Sequence, residues 1–72
     1  MILARADVTA TVWQVHVKVG DRVTEDQEII ILESMKMEIP VLSPATGVVV
    51  AVYVQPHDPV KESQDVVAIE AD

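Results

Sequence analysis

The chain repeats itself once. Asp21 and Asp58 stand 37 positions apart, and the same offset aligns Thr9 with Thr46, Val12 with Val49, Val15 with Val52 and Val17 with Val54. It continues with Val23 and Val60, Glu25 and Glu62, Gln27 and Gln64, and Glu33 and Glu70. Between Asp7 and Glu33 this gives nine identities in 27 aligned positions. A valine-rich composition inflates such a count, but the Thr, Asp, Gln and two Glu matches do not come from valine. A solenoid needs at least about three copies. Two copies predict a pseudo-twofold structure, each half lending strands to both of two small sheets.

The local pattern agrees with strands. Half of the residues are hydrophobic, there is no Phe, and Trp13 and Tyr53 are the only aromatics. Valine and isoleucine favour pleated surfaces, where branched side chains pack well. Strands are predicted over Met1 to Ala4, Val12 to Val19, Ile29 to Leu32, Glu38 to Leu42, Val48 to Val54 and Val66 to Ile69. The alternation from Val12 to Val19 predicts one face of Trp13, Val15, Val17 and Val19, with Trp13 in the core. Ile29 to Leu32, apolar throughout and bounded by acids, reads as a buried strand. Pro40 makes its strand an edge, because proline donates no ladder hydrogen bond. Gly20-Asp21, Thr24 to Glu28, Ser43 to Gly47 and Gln55 to Pro59 read as turns and loops. No helical periodicity of useful length is present.

Seventy-two residues make one small domain, 1–72, with a thin stability margin. Without cysteine there is no disulfide, thiolate chemistry or zinc-cysteine site. The formal net charge is −7, and the five basic residues are scattered. That excludes the basic patch a nucleic-acid binder needs and opposes attraction to anionic membranes. No run is long enough to span a bilayer, and MILARADV lacks the apolar core of a signal peptide. The chain therefore reads as cytoplasmic.

Near the midpoint stands Glu33-Ser34-Met35-Lys36-Met37-Glu38-Ile39-Pro40-Val41. Taken from the residues alone, Lys36 is either a solvated surface lysine or a lysine displayed at a tip for chemistry. Its amine is a nucleophile on a long flexible stem, and acylation removes its charge. Met35 and Met37 are adaptable core fillers in general, but both cannot sit deep in a core unless Lys36 is buried with them. The repeat places this stretch where the first copy ends and the second begins. Its counterpart is the pair of chain ends, Glu70 to Asp72 with Met1, so a projecting hairpin is expected at one end of the molecule and the termini at the other. Met-Lys is a poor two-residue turn sequence compared with Asn-Gly or Asp-Gly, as a functional constraint would produce.

ESMKMEIPV resembles the attachment signature of the biotinyl domain family, which centres on Met-Lys-Met. Val17-Lys18-Val19-Gly20-Asp21, Ser43-Pro44 and Gly47 resemble further landmarks of that family, and the resemblance covers essentially the whole chain. It implies an all-β fold, a flattened β-barrel or sandwich of two small antiparallel sheets with a pseudo-twofold, and the modified lysine on a hairpin tip. It also implies covalent biotin on Lys36, joined by a biotin protein ligase, with Glu33, Ser34, Met35, Met37 and Glu38 serving recognition. The carrier would then shuttle carboxyl groups from a biotin carboxylase to a carboxyltransferase acting on an acyl-CoA or keto acid, without being an enzyme itself. The constant offset between the repeats leaves no room for the thumb of the bacterial acetyl-CoA carboxylase member. The likeness is to thumbless, free-standing bacterial proteins.

The chain departs from the family at Ala10, Asp26, His57 and Ser63, where glycines are usual. If those backbones need positive φ, Asp26 is tolerable and His57 and Ser63 are strained. Two rival readings are a lipoyl carrier, which Met37 opposes because lipoyl domains favour Asp-Lys-Ala, and an unmodified adaptor acting through its acidic surface. His16 and His57 lack ligand-spaced companions and read as surface or turn residues. Asp58, Glu62 and Asp65 match no metal-loop spacing and read as solvated acids.

Overall fold

The computed structural model describes residues 1–72. All regular structure is strand: β1 Ile2–Arg5, β2 Ala10–Val15, β3 Arg22–Val23, β4 Glu28–Ser34, β5 Met37–Leu42, β6 Gly47–Val52, β7 Pro59–Val60 and β8 Asp65–Ala71. They form two four-stranded antiparallel sheets, β1-β8-β6-β3 and β5-β4-β2-β7. A shift of 37 residues converts one order into the other. No ladder joins β1 to β5, so the architecture is a two-sheet sandwich and not a closed barrel. No helix is long and apolar enough to cross a membrane.

The inner faces meet in a core of Val12, Ile29, Ile30, Leu32, Val49, Val66, Val67 and Ile69, each essentially inaccessible to solvent. Ile29 to Leu32 is buried throughout, as its unbroken apolar run predicts. The turns repeat as faithfully as the strands. Asp21 Oδ2 accepts from the Lys18 N–H and Asp58 Oδ2 from the Gln55 N–H, both at 2.9 Å. Gln27 Oε1 accepts from the Thr24 N–H and Gln64 Oε1 from the Lys61 N–H, both at 3.0 Å. The identities recorded by the sequence are therefore turn-closing residues as well as core valines.

Two features differ from the sequence-based expectations. β2 covers Ala10–Val15 and not Val12 to Val19, and Trp13 is 41% exposed while Val12 is fully buried. The cause is a bulge. The β2–β4 register shifts between Val12 and Gln14, so Trp13 is the extra residue and the alternation changes parity there. Val12 turns inward, Trp13 leaves the core, and Val19 lies 62% exposed beyond the strand. The same bulge recurs between Val49 and Ala51, with Val50 as the extra residue. The second difference is β3 and β7, two-residue strands not expected from the sequence: β3 lies between the Gly20-Asp21 turn and the loop from Thr24, and β7 begins at Pro59, the last residue of the Gln55 to Pro59 turn.

Candidate functional site

Strands β4 and β5 form the hairpin that carries Lys36. Its ladder runs through Leu32 with Ile39, Glu33 with Glu38, and Ser34 with Met37, leaving Met35 and Lys36 as a two-residue turn. Met35 has φ 52° and Lys36 φ 66°. Positive φ at both central residues is the requirement of the type I′ turn, whose twist matches that of the flanking strands. Neither residue is suited to it. Left-handed backbone costs an L-residue about 1–2 kcal/mol, and Gly or Asn is the usual occupant. Strain of this kind at an exposed tip points to a side chain required there for another purpose.

The fully buried Leu32 anchors the hairpin, and the residues beyond it reach into solvent. Met35 is 92% exposed and Met37 65%; Lys36, Glu33 and Glu38 are also exposed, and Ser34 is half-buried. The three ion pairs of the molecule join Met1 to Glu70, Arg5 to Asp65 and Arg22 to Asp72; none engages Lys36. Two of these gather at the opposite end, with the chain termini. The molecule measures 35 × 18 × 18 Å, so the lysine and the termini occupy the two ends of an elongated body.

Glu33 and Glu38 face each other directly across the ladder beneath the turn. Like charges at opposed positions destabilise a sheet. The site thus combines two unfavourable local features, a strained turn and an acidic pair, around one free amine and two exposed thioethers. All six residues singled out in the sequence, Glu33 to Glu38, come together here. The one groove, of about 330 Å³, is lined by Leu3, Arg5, Pro40 and Leu42 among others and includes none of the six. No cluster of acids and histidines is arranged to hold a metal ion, including Asp58, Glu62 and Asp65.

Sequence reasoning did not reveal the asymmetry beside the tip. Ala10 lies on β2 next to the hairpin, at the place that Gly47 takes in the second half. The β6–β8 ladder extends to Gly47 with Ala71, whereas the β2–β4 ladder stops at Thr11 with Glu33. The sequence marks Ala10 only as a missing glycine; which strand it stands against needs the register.

The site is thus a two-sheet module presenting one exposed amine on a strained hairpin. The Biotin_lipoyl family model, described as biotin-requiring enzyme, matches residues 4–69, and the chain belongs to that family. It is 46% identical over 55 residues to a biotin/lipoyl attachment protein of Bacillus subtilis, covering 76% of this chain and 75% of that one. It is 42% identical over 65 residues to a biotinylated protein TB7.3 homolog of Mycobacterium leprae, covering 90% of each. Among solved structures, the urea carboxylase of Kluyveromyces lactis superposes with a TM-score of 0.89 at 29% identity, covering 96% of this chain and 6% of that enzyme.

Proposed function

We propose that the chain is a biotin carrier domain spanning 1–72, with biotin attached to the Nζ of Lys36. The observation that carries the reading is the Met35-Lys36 turn, held at positive φ in both residues with the lysine exposed and outside every ion pair. The amine, once deprotonated, forms an amide with the activated carboxyl of a biotinyl adenylate, and AMP leaves. A separate biotin protein ligase supplies the adenylate and the catalytic groups. Met35 and Met37 offer that enzyme polarisable apolar contact, and Glu33, Ser34 and Glu38 set the register in which it meets the turn.

Bound biotin supplies the carboxyl-carrying chemistry; the protein supplies presentation. Placement at one end of a 35 Å body lets Lys36 enter an active site while the body stays outside. Tethering raises the effective concentration of the carried group at both a biotin carboxylase and a carboxyltransferase. The carrier is non-catalytic, and an acyl-CoA or a keto acid is the class of acceptor. Action in the cytoplasm belongs to the same proposal. Incubation with a biotin protein ligase, ATP and biotin tests the reading: one biotinyl increment in intact mass is expected, absent from Lys36→Arg.

Lipoylation of the same lysine is the second reading, favoured by the strained exposed turn that either modification would use. A lipoyl ligase assay on the same protein separates the two. Met37 opposes lipoylation, so Met35→Asp with Met37→Ala is expected to improve it if it occurs.

A further inference from the structure

The two halves repeat each other's hydrogen bonds around the turns and part company at the two ends. At the end holding the termini, Gly47 pairs with Ala71, and the Asp72 N–H donates to the Thr46 carbonyl at 3.0 Å. The equivalent contacts at the Lys36 end would pair Ala10 with Ser34 and join the Met35 N–H to the Thr9 carbonyl. Neither forms. The Met35 N–H has no hydrogen-bond partner in the chain.

Gly47 gives the reason. A Cβ at that position would lie 2.1 Å from the Glu70 carbonyl oxygen and 2.9 Å from the Ala71 Cα, distances that backbone atoms cannot accept. Ala10 carries that Cβ. It is accommodated only where β2 stands away from the end of β4, which is where the ladder stops. The missing rung and the missing bond thus coincide with that Cβ.

We propose that Ala10 is a positioning residue: its methyl group keeps the Lys36 turn unpinned from β2. The turn is then held through β5 alone, and the Met35 N–H and Thr9 carbonyl stay open. An enzyme that acylates Lys36 can reshape the turn and pair with these backbone groups, as strand-adding partners do. This rests on Lys36 being the acylated amine.

Ala10→Gly removes the obstruction, and Ala10→Ser retains it. In Ala10→Gly the Met35 amide should exchange with solvent roughly tenfold more slowly by NMR, because the missing bond forms. A glycine in a strand ordinarily loosens it, so slower exchange at this one amide is not an effect of general destabilisation. The kcat/KM for biotinylation should fall about fivefold, carried by a higher KM for the carrier. Ala10→Ser should keep wild-type exchange and kinetics. Unchanged exchange in Ala10→Gly, or slowed exchange with unchanged kinetics, overturns the proposal while leaving the carrier reading intact. A folded wild-type chain that accepts no biotin overturns both.

Discussion

Gly20 and His57 occupy the same place in the two halves of the molecule, and both are held at positive φ, 98° and 78°. Each donates its N–H to the other half of the chain, Gly20 to the Val49 carbonyl at 2.8 Å and His57 to the Val12 carbonyl at 2.7 Å. Asp26 and Ser63 form a second such pair, at φ 71° and 72°. Apart from the Met35-Lys36 tip, the fold demands left-handed backbone at these four turn positions, and only Gly20 among them adopts it freely.

His57→Gly should therefore stabilise the protein. Relief of left-handed strain, about 1–2 kcal/mol, outweighs the extra freedom glycine gives the unfolded chain, about 0.5–1 kcal/mol. A net gain near 0.5 kcal/mol raises the melting temperature by roughly 2–4 °C in a domain of this size. Ser63→Asn should act in the same direction, since Asn tolerates the left-handed region better than Ser. Thermal unfolding of the single and double variants checks both, and the gains should add because the sites lie in different turns.

Gly47→Ala should cost much more than its chemistry suggests. The new methyl meets the Glu70 carbonyl within 2.1 Å, backbone against backbone, and must push β6 from β8. Overpacking of this severity costs about 1–3 kcal/mol, a large share of the stability of so small a domain. Urea unfolding measures it, and the Gly47–Ala71 end of the β6–β8 ladder should lose exchange protection first.

Trp13→Ala should cost only about 1 kcal/mol, because Trp13 stands on the bulge at 41% exposure and not in the core. Leu32→Ala, at the same level of β4 but fully buried, should cost about 2–5 kcal/mol. The tryptophan fluorescence of the native protein should also be quenched readily by a water-soluble quencher.

Met35→Asn with Lys36→Gly gives the hairpin the turn sequence its geometry asks for. The pair should raise stability by about 1–2 kcal/mol while abolishing modification. Glu38→Gln should add a few tenths of a kcal/mol by removing the opposed charge of Glu33, and that gain should shrink as salt is added. A site whose repair stabilises the protein and ends its chemistry is one kept for that chemistry.

The repeat carries most of what the sequence discloses. Its identities fall on the core valines and on Asp21, Asp58, Gln27 and Gln64, so it locates turns, both sheets and the end at which Lys36 projects. The positive φ at Asp26, His57 and Ser63 is legible from the glycines missing there. Trp13 is misplaced because a bulge shifts the period-two pattern by one residue, and hydropathy does not mark the shift. β3 and β7 are too short to show a period. The open rung beside Met35 depends on which strand Ala10 stands against, a contact between residues far apart in the chain.

The central claim is that Lys36 carries biotin. Intact mass after incubation with a biotin protein ligase, ATP and biotin tests it most directly, with Lys36→Arg alongside. One biotinyl increment on the wild-type chain and none on the variant is the predicted result. A folded wild-type chain that gains no mass, or a Lys36→Arg variant that still does, would contradict it.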